Sequence, residues 1–327
     1  MKKIINDPTK VVNDTLAGLA YSNPSLEYLK EYNVILKREI KHKVGLVSGG
    51  GSGHEPAQAG YVGEGMLDAA VCGNVFASPG PEAIYEGIKK VNRNKGVLLI
   101  VTNYSGDIMN FDMAKELAEV EGVEVETVIV NDDVAVEDST FTTGRRGIAG
   151  TVLIHKIAGA KAEMGFSLSQ VKSVTNKAIA NIRSFGISLS SCIIPSVGKE
   201  IFDIGEDEME IGMGVHGEPG VERTKIKTSL EIAEIMIDRI LNDFDYSNSE
   251  VALMINGLGA TSVMELNILA KDVHELLKTR KVAVYKAFVG NYMTSMEMRG
   301  CSITLLKIDS ELKELLDYPC NTTVIKI

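Results

Sequence analysis

Residues 44–56, VGLVSGGGSGHEP, join a short apolar run to a cluster of glycines and a histidine. The first five residues have the length and composition of a buried strand, which the glycines end. A second apolar run, VLLIV at residues 97–101, also ends in polar, turn-forming residues, NYSGD. Helical patterns follow these strands, at residues 110–121 and 149–164. This alternation predicts an α/β fold whose first part is a mostly parallel sheet flanked by helices.

The second half of the chain has its own pattern of strands and helices, which predicts a smaller α+β domain. We place the boundary near residue 185, giving domains 1–185 and 186–327. Residues 24–38 have helical apolar spacing and are predicted to form a helix. The predicted strands of the second half are residues 209–215, 251–257, 282–288 and 302–308, with helices at 226–243 and 261–280 between them.

Composition limits the class of function. Of 327 residues, 45% are hydrophobic and 24% are charged, which is typical of a globular protein. A net charge of −10 disfavours nucleic acid and large anionic substrates, so a small neutral substrate fits better. The sequence contains no long apolar run and no signal-peptide pattern, so we expect a cytoplasmic protein that does not bind membranes. The four cysteines are far apart in sequence, which predicts buried thiols rather than a disulfide or metal framework.

The glycine cluster GGGSGHEP predicts a loop whose backbone approaches a ligand closely, although a tight turn is the simple alternative. No Lys-Ser or Lys-Thr pair follows the glycines, so the motif is not a nucleotide-binding P-loop. It also departs from the dinucleotide pattern GxGxxG, because His54 stands where the last glycine belongs. The hypothesis of a dinucleotide-binding oxidoreductase would rest only on the strand and this glycine loop.

Two further segments carry candidate functional residues. Asp107 lies in NYSGDIMNF, beyond a predicted strand, where a helix-capping or turn aspartate is the alternative. His216 lies among glycines in GMGVHGEPG and could be a plain turn histidine. Together with His54, both follow the carboxyl ends of predicted strands, the edge at which open α/β sheets bind ligands. The sequence therefore predicts one site formed at one sheet edge.

Other polar residues are interpreted as structural or exposed. Residues 137–147, EDSTFTTGRRG, predict a mobile surface loop, whose two arginines could contact phosphate or remain solvated. The two acidic runs lack the spacing of a calcium or magnesium loop, and we predict no metal site. The polar residues interpreted as structural or exposed are His42, His155, His274, Arg145, Arg146, Asp132, Asp133 and the acidic run at 206–208.

Six segments together resemble the dihydroxyacetone kinase family. They occur in the family's order from about residue 44 to 310, nearly the whole chain. They are GLVSGGGSGHEPAQAGYVGEGML, NYSGDIMNF, RRGIAGTVLIHKIAGA, GMGVHGEPG, NGLGAT and GNYMTSMEMRG.

The resemblance implies a role for each candidate residue. The histidine of the GMGVHGEPG motif, here His216, forms a hemiaminal with the ketone of dihydroxyacetone. His54 and Asp107 correspond to the family's acid/base groups, and Gly51, Ser52, Gly53 and His54 line the substrate pocket. Covalent capture requires a carbonyl group, which dihydroxyacetone has and glycerol lacks, so it selects dihydroxyacetone. The resemblance therefore places the protein in glycerol metabolism.

The resemblance also implies partners. A stand-alone K subunit binds no cofactor and receives phosphate from an L subunit that carries ADP or ATP with Mg²⁺. An M subunit of the phosphotransferase system supplies that phosphate, ultimately from phosphoenolpyruvate, and the K subunit is a homodimer. Bacterial members commonly have Lys before the NYSGD-type motif, whereas this chain has Thr102, which puts that substrate contact in doubt. The alternatives are an ATP-dependent L partner and a non-catalytic transcriptional co-activator that binds dihydroxyacetone.

Overall fold

The chain forms two six-stranded sheets in a computed structural model that describes residues 2–137, 144–218 and 220–327. Four neighbouring strands of the first sheet are parallel, and an antiparallel hairpin extends it at one edge. The mostly parallel first sheet is therefore confirmed. In the spatial order β1-β2-β4-β3-β5-β6, its strands are β1 (Leu26–Leu29), β2 (Val34–Lys37), β3 (Gly45–Ser52), β4 (Ala69–Val75), β5 (Val97–Thr102) and β6 (Val125–Val130).

The second sheet is mixed. Strands β10 and β11 pair in parallel, and the other described neighbours are antiparallel. The predicted boundary at residue 185 falls inside β7, the first strand of this sheet, so the division of the chain into two domains stays a prediction. In the spatial order β11-β10-β12-β7-β8-β9, the strands are β7 (Ile182–Ser188), β8 (Glu208–Ile211), β9 (Glu222–Lys225), β10 (Glu250–Gly257), β11 (Ala283–Gly290) and β12 (Gly300–Ile308).

Helices cover both sheets and fill the space between them. Helices α2 and α3 pack on one face of the first sheet, and α6 and α7 pack on one face of the second. Helices α4, α5 and α8 share a buried core with strands of both sheets and lie between them. The helices are α1 (Val11–Ser22), α2 (Pro81–Val91), α3 (Ser105–Val120), α4 (Thr151–Glu163), α5 (Leu168–Ala180), α6 (Ser229–Asp243), α7 (Val263–Thr279) and α8 (Ser310–Asp317).

Strand β5 shows why these apolar runs form central strands. Val97, Leu99 and Val101 pack with α2 and α3 on one face, whereas Leu98 and Ile100 pack with α4 and α5 on the other. Because both faces are covered, the run is apolar throughout rather than alternating.

The middle layer is deeply buried. Every residue of α4 from Thr151 to Ala160 is buried, including His155. The His155 Nε2 lies 3.1 Å from the Ser48 hydroxyl, which itself donates to the Ile100 carbonyl. His155 is therefore a structural histidine of the core, whereas His42 and His274 are exposed.

The helix predicted for residues 24–38 is wrong, because this segment forms the β1–β2 hairpin and the helix lies earlier, at α1. Asn33 adopts a left-handed conformation, with φ of 53°, which turns the chain. The following apolar run then pairs with β4, from Val34 opposite Val71 to Leu36 opposite Ala69. Strand pairing has thus overridden the helical spacing.

Most of the predicted mobile loop at residues 137–147 lies outside the described residues, because 138–143 are not among them. In the part of the chain that is described, no helix has the length and apolar character needed to cross a membrane.

Acid is expected to destabilise the fold through His155. Burial lowers the pKa of His155 to about 3, so the unfolded chain takes up a proton below its ordinary pKa near 6.5 while the folded chain does not. Stability is therefore lost as the pH falls from about 6.5 towards 3, by about 2 kcal/mol between pH 7 and pH 5. Urea denaturation should show a smaller acid-induced loss in His155→Gln. The exposed helical His274→Gln should behave like the wild type, and an unchanged loss in His155→Gln would contradict the assignment.

The glycine cluster is expected to be sterically required. A Cβ on Gly51 would lie 2.7 Å from the Ala77 nitrogen and 2.9 Å from the Phe76 carbonyl carbon, which are backbone atoms that cannot turn aside. Gly51→Ala should therefore lower the free energy of unfolding by about 1–3 kcal/mol. Gly18 on α1 meets nothing within 4 Å, so Gly18→Ala should raise it by about 0.5–1 kcal/mol. Chemical denaturation of the two variants measures both effects, and equal shifts would sink the steric argument.

Candidate active site

Strand β3 continues through the glycine cluster and delivers His54 at its carboxyl end. The pairing of β3 with β4 shifts register between Gly50 and Ser52, so the strand bends as it leaves the sheet. Gly53 then takes a φ of 102°, a conformation that favours glycine. The loop is thus built to turn the chain sharply just before the histidine.

His54 is a buried, neutral imidazole. Its Nδ1 lies 2.8 Å from the Thr294 carbonyl, which can only accept, so Nδ1 carries the proton. Burial, and then the charge of His216, lower the pKa of His54 to about 3. Its Nε2 has no hydrogen-bond partner among the described residues. His54 can therefore accept a hydrogen bond from a ligand at Nε2.

Asp107 lies in the first turn of α3, just beyond the end of β5. The residue before the helix is Tyr104, so Asp107 is not a helix cap. Thr102 donates a long hydrogen bond of 3.4 Å to Asp107 Oδ2, and Oδ1 has no partner among the described residues. Burial raises the pKa of Asp107, against smaller lowering effects from Ser78, the charge of His216 and Thr102. A carboxylate of raised pKa is a stronger base.

His216 joins these two residues from the second sheet. Three rings surround it, with centroids 4.7 Å away for His54, 4.7 Å for Tyr104 and 5.3 Å for Phe76, all approaching edge-on. Its Nδ1 lies 3.0 Å from Glu218 Oε1. Asp107 Oδ2 would lie 3.8 Å from a Cβ on Gly50, so it faces the glycine loop that leads to His54. The structure therefore brings together His54, Asp107 and His216.

The predicted single sheet edge is wrong in one respect. The segments with His54 and Asp107 follow β3 and β5, which are parallel neighbours in the first sheet. His216 follows β8 of the second sheet. The site is thus formed where loops of two sheets meet, because the strand predicted before His216 is not part of the parallel sheet.

A segment after β11 holds the loops together. The backbone N–H groups of Thr294 and Met296 donate to the carbonyls of His54 and Gly53, at 3.1 and 2.8 Å. Between them, the Ser295 hydroxyl donates to the Val215 carbonyl at 2.6 Å. Residues 294–296 therefore contact the His54 loop and the His216 loop at once. We call this segment the bridging segment.

The glycine loop also has internal uses for its polar groups. The Ser52 hydroxyl donates to the Gly73 carbonyl at 2.7 Å, so it can offer a ligand only an acceptor. The Gly53 N–H donates to Glu55 Oε1 at 3.1 Å. Gly51 packs directly on the backbone of Phe76. The polar groups of Ser52 and Gly53 thus stabilise the loop that positions His54.

Sequence reasoning missed four contributors to the site. Tyr104 and Glu218 lie inside the two motifs, next to the chosen residues, but neither matches a catalytic pattern. Phe76 stacks on His54 with centroids 5.0 Å apart and has a φ of 57°, which no local sequence signal predicts. Thr294 contributes through its carbonyl, which any residue carries.

The remaining polar candidates have internal partners. Arg146 binds Asp133 at 2.7 Å, and Arg145 forms an ion pair with Asp243, so neither is the solvated loop arginine considered above. The four cysteines are free and buried, as predicted. Among the described residues there is no group of three or more His, Cys, Asp or Glu side chains placed to hold a metal ion.

Comparison with known proteins identifies relatives along the whole chain. The Dak1 domain model matches residues 17–324. A PTS-dependent dihydroxyacetone kinase 1, dihydroxyacetone-binding subunit DhaK, from Listeria innocua is 52% identical over 98% of this chain and 99% of its own. The PEP-dependent dihydroxyacetone kinase subunit DhaK of Escherichia coli is 41% identical over 99% of each chain.

Solved structures agree with the sequence relatives. A dihydroxyacetone kinase operon co-activator, Dha-DhaQ, has a TM-score of 0.91 at 36% identity, covering 95% of this chain and 97% of that one. The dihydroxyacetone kinase of C. freundii has a TM-score of 0.90 at 35% identity, covering 99% of this chain but 60% of that one. On the family model and these identities, the chain belongs to the dihydroxyacetone kinase (Dak1 domain) family.

Proposed function

We propose that this protein is the dihydroxyacetone-binding subunit of a dihydroxyacetone kinase, a phosphotransferase that forms dihydroxyacetone phosphate. The observation that carries the proposal is the convergence of His54, Asp107 and His216 at one site, with ring contacts between the two histidines. Relatives at 52% and 41% identity, named as such subunits, support it.

Substrate capture is the first step. The His216 Nε2 lone pair attacks the carbonyl carbon of dihydroxyacetone and forms a nitrogen–carbon bond, while the carbonyl π electrons move to oxygen, which gains a proton. The ring gives up its Nδ1 proton, so the adduct is a neutral hemiaminal. Glycerol has no carbonyl carbon and is not captured.

Phosphoryl transfer follows from the captured substrate. Asp107 accepts the proton of a terminal hydroxyl as that oxygen attacks the phosphorus of the donor, and the donor's leaving group departs. Fixing the substrate on His216 holds this hydroxyl in place, which removes much of the entropic cost of the reaction. His54 accepts a substrate hydroxyl hydrogen bond at its free Nε2. Gly51, Ser52 and Gly53 form the wall of the pocket.

The phosphoryl donor comes from partner chains. The chain has no P-loop, and a nucleotide with Mg²⁺, ADP or ATP, belongs to an L subunit. An M subunit of the phosphotransferase system rephosphorylates it from phosphoenolpyruvate. The names of the curated relatives, PTS-dependent and PEP-dependent, favour this relay over an ATP-dependent L partner. We further propose a cytoplasmic homodimer.

A second candidate function is that of a non-catalytic co-activator that binds dihydroxyacetone. A TM-score of 0.91 to an operon co-activator supports it. The identity to that protein is 36%, whereas the identity to the Listeria kinase subunit is 52%. Asp107, which capture alone does not require, also favours catalysis.

Reconstitution tests the function directly. The chain is mixed with L and M subunits, the general phosphotransferase proteins, phosphoenolpyruvate and dihydroxyacetone, and dihydroxyacetone phosphate is measured with a coupled dehydrogenase. We expect product only in the complete mixture. A mixture that is active with another K subunit but silent with this chain would leave the co-activator as the function, provided that the chain still forms the adduct.

Two variants separate capture from transfer. Intact-mass measurement after incubation with dihydroxyacetone should show a gain of one triose in the wild type and in Asp107→Asn, but none in His216→Ala. In the reconstituted assay, Asp107→Asn should slow transfer by about 10²- to 10⁴-fold, because the amide cannot accept the hydroxyl proton.

The matched control is the exposed His42→Ala, which should keep both capture and transfer. A triose adduct on His216→Ala would refute the capture assignment, and full transfer activity in Asp107→Asn would refute the base.

A further inference from the structure

Both oxygens of Glu218 engage His216. Oε1 lies 3.0 Å from the imidazole Nδ1, and Oε2 accepts the backbone N–H of the same residue at 2.9 Å. One carboxylate therefore fixes the ring and its backbone together. Only Gly217 lies between His216 and Glu218 in the sequence, so this carboxylate clamp on His216 depends on the tight turn at Gly217, where φ is 80°.

The clamp determines which nitrogen of His216 can react. A carboxylate accepts hydrogen bonds, so Nδ1 carries the proton and Nε2 keeps its lone pair. Only a nitrogen with a free lone pair can attack a carbonyl carbon. A hydrogen bond that fixes one ring nitrogen in this way also raises the basicity of the other.

Glu218 is kept ionised by its surroundings. Burial acts to raise its pKa, but the hydrogen bond from His216, the charge that His216 carries when it is protonated, and the charge of Arg146 lower it to about 2. Arg146 is held in turn by Asp133 at 2.7 Å and by the Gly212 carbonyl at 2.9 Å.

Gly214 allows these groups to come together. A Cβ at this position would lie 2.2 Å from Glu218 Oε2 and 2.6 Å from Arg146 Nη1. The side chains of Glu218 and Arg146 thus occupy the space that any larger residue would need.

We propose that Glu218 is a positioning residue that holds His216 in its Nδ1–H tautomer and stabilises the positive charge that the ring gains during capture. The inference rests on the proposed function. As Nε2 bonds to the carbonyl carbon, the ring becomes an imidazolium whose Nδ1–H faces Oε1. The Nδ1 proton then passes through Glu218 to solvent, while the carbonyl oxygen takes a proton from solvent. No electrons are gained or lost overall.

The experiment compares two substitutions of Glu218 in the full chain. Glu218→Gln keeps an oxygen that can accept from Nδ1 but removes the negative charge, and Glu218→Ala removes both. Stopped-flow mixing with dihydroxyacetone followed by quenched intact-mass analysis measures the rate of adduct formation. We expect both variants to be slowed about tenfold or more. Phosphoryl transfer from adduct that has already formed should change much less.

A second measurement reports the tautomer without substrate. In protein labelled with ¹⁵N-histidine, the two ring nitrogens of His216 differ in chemical shift when one is protonated, and His216→Ala assigns the signals. Wild type and Glu218→Gln should show a protonated Nδ1, whereas Glu218→Ala should shift towards a mixture. The exposed Glu222→Gln, on neighbouring β9, is the matched control and should leave both measurements unchanged.

Unchanged adduct rates in both Glu218 variants, or a wild-type His216 protonated at Nε2, would overturn the proposal. If Glu218→Ala does not fold, Glu218→Gln alone decides it through the adduct rate. If the wild type forms no adduct, the proposed function has failed. The ¹⁵N spectra of ligand-free protein would still show whether Glu218 sets the tautomer.

Discussion

The site depends on hydrogen bonds between the bridging segment and the loop that carries His54. Thr294 and Met296 donate to the His54 and Gly53 carbonyls, and the Thr294 carbonyl accepts from His54 Nδ1. Ser295 reaches the loop of His216 from the same segment. Because the bridging segment belongs to neither loop, it fixes their separation. It follows β11 of the second sheet, so it ties a loop of the first sheet to the sheet that supplies His216.

The surroundings of the three candidate residues give them different properties. His54 is buried, which lowers its pKa, so the ring stays neutral at neutral pH and acts there only as a hydrogen-bond donor and acceptor. Burial raises the pKa of Asp107, which helps it to take a proton. His216 instead has the Glu218 carboxylate on its Nδ1, so its Nε2 keeps a lone pair. The net charge of −10 disfavours an anionic substrate, which agrees with the neutral triose proposed for this site.

The sequence predicted much of the fold. The strands before the glycine loop and before NYSGD are where the apolar runs predicted them. The helix predicted for residues 24–38 was wrong because the apolar spacing of a short segment does not distinguish a helix from a hairpin. The strand that pairs with this hairpin, β4, lies about forty residues further along the chain. The prediction that all three candidate residues lie at one sheet edge was wrong for a similar reason. The end of a strand can be read locally, but the sheet that the strand joins is decided by its pairing partners.

His54, Asp107 and His216 were identified from the sequence because each follows a strand and stands beside glycines, and because the motifs around them resemble one family. Their roles in capture and proton transfer stay proposals. Local sequence thus determined which residues face the site, since strand ends and glycine turns are properties of neighbouring residues. Only the tertiary structure decided what each can do. The contacts that decide this join segments far apart in the chain. They are the hydrogen bond from His54 to the Thr294 carbonyl, the burial of Asp107, and the packing of Glu218 and Arg146 around Gly214. The protonation state of each side chain depends on these neighbours in space, which the local sequence does not reveal.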